Sequence, residues 1–369
     1  MTNGVDPDLA EALAAAYPEL AAVAAAAPDP VYLVGGAVRD LLLGRGRADI
    51  DLAIEGDPAA LAAALGAEPL AAHPRFGTLK VDLGGHEVDI AAARRERYVE
   101  PGALPTVELG APIRTDLARR DFTINAMAVP LADPRELIDP YDGHEDLRMG
   151  VLRVIHAASF VDDPTRAIRA ARYAARFGFG IEAGTRGLLV ETDLTTVTPE
   201  RRAAELRRLA GEAGAVRGLE LLAGWGLVEP REGGESLALA RDVDRLMAAP
   251  PWSREADRAE AILAAALGPE AGQGALASAR PPRPSEAVRM ARGHDPIELV
   301  LARAAGAEWL DDWLRWREVS LAITGADLTA AGLTGPAIGE ALESALAAKL
   351  DGEAPTRADE LRIALEQRR

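Results

Sequence analysis

The stretch that most constrains this chain is VYLVGGAVRDLLLGRGRADIDLAI, residues 31–54. A short apolar run ends in Gly35-Gly36, and Arg39 and Asp40 follow closely. A basic, glycine-containing loop then leads to a second apolar run carrying Asp49 and Asp51. The pattern reads as strand, helix, strand. Side chains two apart on a strand share a face, which sets the two carboxylates about 7 Å apart along the backbone. Such a pair repels itself unless a cation lies between, and Mg²⁺, with its preference for oxygen ligands, suits the position. Glycines that close a strand and open a helix admit a polyanion to backbone N–H groups and a positive helix end. Each feature is common alone: Asp-x-Asp occurs on solvated strand edges and Gly-Gly in ordinary turns. Together they point to phosphate chemistry with a divalent metal.

Composition narrows the field. A length of 369 residues fits two to four domains, and 49% hydrophobic content supplies ample core. The absence of cysteine excludes disulfides, Cys-ligated zinc and thiol catalysis. Aromatics at 4% disfavour stacked platforms for single-stranded nucleic acid. No apolar run approaches the roughly 20 residues of a membrane span, and the acidic start MTNGVDPDLAEAL lacks the basic region of a signal peptide. A cytoplasmic protein with no membrane association is expected. The net charge of −17 argues against a nucleic-acid partner, but its distribution softens the objection. Residues 148–208 carry 11 basic and 7 acidic side chains, whereas 311–369 carry 7 and 11. Lysine occurs only at Lys80 and Lys349. The arginine excess reflects GC-rich coding or bidentate phosphate recognition.

Asp6-Pro7 reads as the start of a helix running to about Ala26, ended by Pro28 and Pro30. Between 31 and 131, VYLV, DIDLAI, TLKVDL and HEVDIAA read as strands, and AVRDLLLG and DPAALAAALG as helices. Gly85-His86 marks a hairpin turn. This is an α/β unit with a mixed sheet. Beyond Val151 the strand signal vanishes and Ala/Leu/Arg helices follow, without a regular repeat. Residues 268–284 have the composition of a flexible connection.

Asp89, on the later hairpin strand, is placed to join Asp49 and Asp51 as a third carboxylate of a two-metal site. Arg119-Arg120 precede an apolar segment, either as a solvated edge or as a clamp on a triphosphate. Asn125, within that segment, needs hydrogen-bond partners if buried: a ribose hydroxyl or a backbone group.

The ordered set GGAVRD, DID, RRDFTINAMA, IDPYDGHEDL, DDPTR and ERRAAE resembles the class II tRNA nucleotidyltransferase family. That family comprises CCA-adding enzymes, their CC-adding and A-adding relatives, and bacterial poly(A) polymerases. The motifs cover about residues 31–206, and ITGADLTAAGLTGPAIGEAL is similar to the family's C-terminal region. The resemblance implies an α+β fold: a DNA polymerase beta-like mixed-sheet head (1–145), then an all-α neck (146–215), body (216–310) and tail (311–369). It implies tRNA, CTP and ATP as partners and Mg²⁺ as cofactor, with no protein partner evident. Asp49 and Asp51 would bind metal, with Asp89 as the third catalytic carboxylate. Gly35, Gly36 and Arg39 would cradle the triphosphate, and Arg119, Arg120, Asp121 and Asn125 would hold phosphate and ribose. Asp163 and Arg166 match the family's protein template, and Glu200, Arg201 and Glu205 match a helix motif that braces it.

The template has a physical basis. Asp163 and Arg166 stand three apart on a predicted helix, hence on one face. A carboxylate accepts from an exocyclic amine while a guanidinium donates to the neighbouring ring nitrogen. Cytosine and adenine present that edge; uracil and guanine would leave buried groups unpaired. The alternative is a surface ion pair worth about 0.3–0.5 kcal/mol, and within the motif series the template reading prevails. Arg169 and Arg172 count among the nucleotide-binding positions, and with Arg176 they extend the helix's basic face, by phosphate contact or by solvation.

His73-Pro74-Arg75-Phe76-Gly77-Thr78 looks like the CCA-adding side of the family rather than the Gly-Arg-Arg-Phe entry of poly(A) polymerases. The loop 94–114 lacks the usual basic pair after its glycine, which leaves CC-only or A-only addition open. His294-Asp295, followed at once by Pro296, makes a poor second metal site.

Overall fold

A computed structural model describes residues 4–5, 7–47, 49–231, 234–268 and 273–366. They divide into two compact units, Met1–Val228 and Glu229–Arg369.

The first unit opens with a two-residue strand, β1 (Gly4–Val5). A six-stranded sheet follows, built from β2 (Val31–Val34), β3 (Ile50–Ile54), β4 (Pro69–His73), β5 (Thr78–Asp82), β6 (Glu87–Ala92) and β9 (Ala128–Pro130). The spatial order is β4-β5-β6-β3-β2-β9; β3 and β6 run parallel, and the other neighbours are antiparallel. The mixed sheet is as expected. Two-residue periodicity decides its faces. Leu33, Leu52, Ile54, Val81, Val88 and Ile90 point to one side and pack with Tyr17, Leu20, Val23 and Leu61. Leu20 and Val23 belong to α2 (Leu20–Ala26), Leu61 to α4 (Pro58–Leu65) and Tyr17 to the corner after α1 (Pro7–Ala16), whose Leu9 and Leu13 join the same core. On the opposite face Val34 and Ala53 pack with Ile113 and Leu117 of α5 (Ile113–Ala118). Farther along that face no apolar cover is needed, because the row is charged: Asp51 is in register with Asp89, and Asp89 with Lys80.

Several local expectations change. Asp6 lies outside the described residues, and the single helix expected from there to Ala26 is two helices bent by 105° at Tyr17-Pro18-Glu19. Pro18 has no N–H to continue the first helix. The hairpin turn centres on Gly84-Gly85, one residue earlier than expected; both have positive φ, and Leu83 N–H donates to His86 O at 2.8 Å. A hairpin of β7 (Arg94–Arg97) and β8 (Thr106–Leu109), and a short pair between β1 and β10 (Glu136–Leu137), had no sequence signal. Beyond Val151 one two-residue parallel pair persists, β11 (Val151–Leu152) with β12 (Gly180–Ile181). The rest of the unit is helical: α6 (Gly143–Met149), α7 (Ser159–Asp162), α8 (Thr165–Phe177), α9 (Ala183–Val190), α10 (Pro199–Gly211) and α11 (Ala215–Gly224). Both α10 and α11 pack against α8.

In the second unit the described residues form helices only, from Gly234–Leu246 to Arg357–Glu366. Part of the stretch expected to be a flexible connection is the helix Gln273–Ser278, while residues 269–272 lie outside the described set. Asp295 caps the helix Pro296–Ala304 by accepting from Ile297 N–H at 2.8 Å, and His294 Nδ1 pairs with Glu298 at 2.8 Å. Those contacts give both residues structural roles. Among the described residues no single helix is long and apolar enough to cross a membrane.

Candidate functional site

The chain leaves β2 at Val34 and turns sharply into α3 (Gly36–Leu42) through Gly35, whose φ is +66°. A side chain there is forbidden twice over. The φ disfavours any Cβ, and an added Cβ would lie 2.6 Å from Arg120 Nη1. The bare backbone of Gly35 therefore lets Arg120 come close to the strand end.

Arg119 and Arg120 are held from behind by a residue the sequence reading missed. Asp116, 1% exposed on α5, accepts from Arg119 Nε and Nη2 at 2.9 and 2.8 Å. Its second oxygen accepts from Arg120 Nε and Nη2 at 3.3 and 3.1 Å. Burial alone would raise this carboxyl, but Arg120 and Arg119 outweigh burial and hold it below the usual carboxylate range. Arg119 also reaches Glu96 of β7 at 3.0 Å. The available signal was spacing: Asp116 stands three and four residues before the two arginines.

A second chain of polar contacts runs beneath. Arg39 of α3, 4% exposed, donates through Nε to Asp40 at 2.8 Å and through Nη1 to Asn125 Oδ1 at 2.7 Å. Asn125 Nδ2 donates to Asp121 at 2.9 Å, and Asp121 accepts from Arg169 Nε and Nη2 at 2.8 and 2.5 Å. The buried Asn125 amide thus finds side-chain partners at both ends, rather than a backbone cap. Burial opposes the charge on Asp121, yet Arg169 and the Asn125 hydrogen bond bring its pKa down to about 2. Arg169 is raised in turn: burial opposes its charge, but Asp121 outweighs it.

Asp163 corrects the sequence reading. It is not on a helix but in the break between α7 and α8, with an extended φ of −140°. Pro164 disfavours helical backbone in the residue before it. Asp163 accepts from Thr165 N–H and Oγ1 at 3.1 and 2.7 Å and from Arg201 at 3.0 Å. Arg166, 5% exposed, donates to Ser159 Oγ at 2.8 Å and to the Arg119 carbonyl at 2.7 Å. Asp163 and Arg166 nevertheless line one cavity. Arg201 also donates to the Gly102 carbonyl at 2.6 Å, tying the β7–β8 loop to α10. Arg172 pairs with Glu212 at 2.7 Å, and Glu205 pairs with Arg208. Glu200 is exposed and outside the cavity.

These residues surround a cavity of about 620 Å³. Gly35, Gly36, Asp51, Arg119, Arg120, Asp121, Asn125, Asp163 and Arg166 all line it. So do Arg39, Arg169, Arg172, Arg201 and Glu205, together with Tyr98, which the sequence reading did not single out. Nine arginines face five carboxylates in this lining, so the cavity favours an anion.

The two aspartates expected to bind metal are divided: Asp51 lines this cavity and Asp49 does not. Asp49 lies just before β3 rather than on it, and is exposed; Asp51 is on the strand. Burial first, then the negative charges of Asp89 and Asp49, push Asp51 up to about 6 against the pull of Arg120 and Lys80. Asp89 stands beside Asp51 in register, with its carboxylate 3.2 Å from Lys80 Nζ. Among the described residues no three acidic or histidine side chains are gathered as a metal-binding set. The oxygen donors and their mutual repulsion suit a hard divalent cation at Asp49 and Asp51.

Comparison with known proteins bears on what the cavity does. A family model described as the poly A polymerase head domain matches residues 31–153. A CC-adding tRNA nucleotidyltransferase of Deinococcus radiodurans is 34% identical over 334 residues, 86% of this chain and 83% of that protein. An A-adding tRNA nucleotidyltransferase of Halalkalibacterium halodurans is 42% identical over 181 residues, 46% of this chain and 42% of that protein. The chain spans less than half the length of the A-adding relatives it matches. Among solved structures, a Thermotoga maritima CCA-adding enzyme complexed with tRNA superposes over the full length of both chains, with a TM-score of 0.78 at 26% identity.

Proposed function

This chain belongs to the tRNA nucleotidyltransferase family, and from that premise we propose that it adds CMP and AMP to the 3′ end of tRNA, in the cytoplasm. The observation that carries the reading is one cavity lined by Gly35-Gly36, Asp51, the Arg119-Arg120 pair and the Asp163/Arg166 pair. Phosphate-binding, metal-binding and base-reading groups thereby share a single space.

In the reaction the terminal 3′-hydroxyl attacks the α-phosphorus of CTP or ATP. A P–O bond forms, the bond to pyrophosphate breaks, and the hydroxyl proton departs. Arg119 and Arg120, aimed by Asp116, hold the triphosphate, and the bare Gly35-Gly36 backbone lets it approach. Mg²⁺ bound by Asp49 and Asp51 would supply the positive charge that stabilises the reacting phosphate. Asp89 supports that pair from the neighbouring strand. Asn125 fixes Arg39 and Asp121, which in turn fixes Arg169. Asp163, aimed by Arg201 and Thr165, accepts from the exocyclic amine of C or A, and Arg166 donates to the ring nitrogen. Within this reading residues 1–145 form the catalytic head, 146–215 the neck, 216–310 the body and 311–369 the tail that contacts tRNA.

A partial activity is the second reading, favoured by relatives that add only CC or only A. One experiment separates them: tRNA ending before the tail, after C and after CC, offered with each nucleotide separately. CTP use on the first two and ATP use on the third is expected. Extension of only one class assigns partial addition, long A tracts assign poly(A) synthesis, and no extension refutes the reading.

A further inference from the structure

The loop that leads from α3 to Asp49 has little to fix it from within. Gly44 and Gly46 have φ of +62° and +81°, and Gly44 to Arg47 are exposed. A Cβ added at either glycine would meet nothing within 4 Å. The first half of the loop is held by the end of α3: Gly44 N–H donates to the Leu41 carbonyl and Arg45 N–H to the Asp40 carbonyl, both at 3.0 Å. The half nearest Asp49 is gripped from far away in sequence. Arg47 donates through Nη1 and Nη2 to the two carboxylate oxygens of Glu19, and through Nη1 to the Ala16 carbonyl at 3.3 Å. Its guanidinium lies 5.4 Å from the Tyr17 centroid. Three partners in one corner thus hold one arginine, two residues before Asp49.

That corner is a firm base. Tyr17, Leu20 and Val23 are fully buried and belong to the core beneath the sheet. Asp49 needs such a base, because it is exposed and precedes β3, whose ladder with β6 begins at Ile50. Mg²⁺ demands near-ideal octahedral geometry from its ligands, so a carboxylate on a loose loop binds it poorly. We infer that Arg47 is a positioning residue for the candidate metal pair: it carries the rigidity of the α1–α2 corner into the loop and fixes where Asp49 stands relative to Asp51. This rests on the cation proposed above for these two aspartates. It gives α1 and α2, none of whose residues lines the 620 Å³ cavity, a part in the chemistry. Electrostatics alone predicts the opposite effect. A guanidinium two residues from a ligand repels a divalent cation, so its deletion would tighten metal binding; loss of positioning weakens it. The sign of the change decides.

The test uses the full chain and Mn²⁺ alone, with the free ion counted by electron paramagnetic resonance and no nucleotide present. Arg47→Met keeps an apolar stem against Tyr17 and removes the forked donors. Its Mn²⁺ dissociation constant should rise about tenfold, the cost of re-ordering roughly one residue of backbone. Arg47→Lys, a point charge that serves fewer partners at once, should fall between Arg47→Met and wild type. Glu19→Gln should weaken binding in the same direction while leaving the loop sequence intact, and it carries the test if Arg47→Met does not fold. In Mg²⁺ titrations of nucleotide incorporation the half-saturating concentration should shift in parallel, with turnover recovered at saturating Mg²⁺. An unchanged or tighter Mn²⁺ constant in Arg47→Met, or a wild-type constant in Glu19→Gln, would overturn the inference alone. A wild type that binds Mn²⁺ no better than Asp49→Ala would overturn the metal assignment beneath it.

Discussion

Asp116 is the point at which the fold meets the proposed phosphate clamp, and Asp116→Asn is the perturbation that exposes it. The amide keeps the shape of the side chain but loses the charge. In the native protein this carboxylate, 1% exposed, takes four hydrogen bonds from two guanidinium groups and a fifth from Arg94 N–H at 3.2 Å. Removing one partner of a buried ion pair costs about 3–5 kcal/mol. The arginine side chains are 18% exposed and Arg119 keeps Glu96, which places the loss at the lower end, about 3 kcal/mol. For a unit of this size each kcal/mol lowers Tm by about 2–4 °C, so a drop of about 6–12 °C is expected. Nucleotide binding should suffer separately. Two released side chains must be re-immobilised at about 0.5–1.5 kcal/mol each, which weakens nucleotide affinity roughly 5- to 140-fold. Thermal melting and nucleotide titration measure the two effects, with Asp133→Asn as a control that removes only the exposed Asp133–Arg135 pair. A variant melting within 2 °C of wild type with nucleotide affinity within twofold would refute the argument that Asp116 organises the pair.

Further outcomes follow from the same geometry. Gly35→Ala should lose about 1–3 kcal/mol in urea denaturation, because its φ of +66° is strained for alanine and the methyl meets Arg120; an unchanged midpoint would show that the turn relaxes freely. Asp49→Ala or Asp51→Ala should abolish nucleotide incorporation while tRNA still binds in a filter assay, and full activity in either would sink the metal assignment. Asp163→Ala or Arg166→Ala should relax discrimination against UTP and GTP more than it weakens triphosphate binding; intact discrimination would remove the template. Asp121, with its pKa lowered to about 2, contributes about 2 kcal/mol that is fully present above its unfolded value near 4 and is lost as pH falls toward 2. Urea midpoints between pH 2 and 5 should show this limb in wild type and flatten in Asp121→Asn; parallel curves would contradict it.

The sequence was most legible where local chemistry and tertiary role agree. β2, α3 and β3 follow from apolar runs broken by glycine, and α4 follows from Asp57 as N-cap and Gly66 as a left-handed C-cap. It was least legible where an element lacks an apolar face. RRER is charged throughout, and TVEL is mostly exposed with only Val107 and Leu109 on its apolar face, too short a pattern to announce the β7–β8 hairpin. Its Tyr98 reaches the cavity from this loop, a placement only long-range packing determines. Two misreadings had a signal that was passed over. Pro18 divides the first helix, and Pro164 takes Asp163 off the helix that carries Arg166. In the second case the role proposed for the pair does not need helical spacing, since Thr165 and Arg201 hold the carboxylate instead.

The anchoring of the arginines also resolves the tension between an acidic chain and a polyanionic ligand. Arg120 commits Nε and Nη2 to Asp116, while Nη1 stays beside Gly35 and donates to the Asn125 carbonyl at 3.4 Å. A guanidinium has donors enough to be fixed along one edge and to offer the other; an ammonium, as a single point charge, has no second edge. The carboxylates that give the chain its net charge of −17 therefore do not simply oppose phosphate. Those at Asp116, Asp121 and Glu212 each hold arginine side chains in place, so that a phosphate meets donors already oriented and less conformational entropy is lost on binding. In a chain with only two lysines, the triphosphate specificity proposed above would come from directed forks rather than from an excess of positive charge.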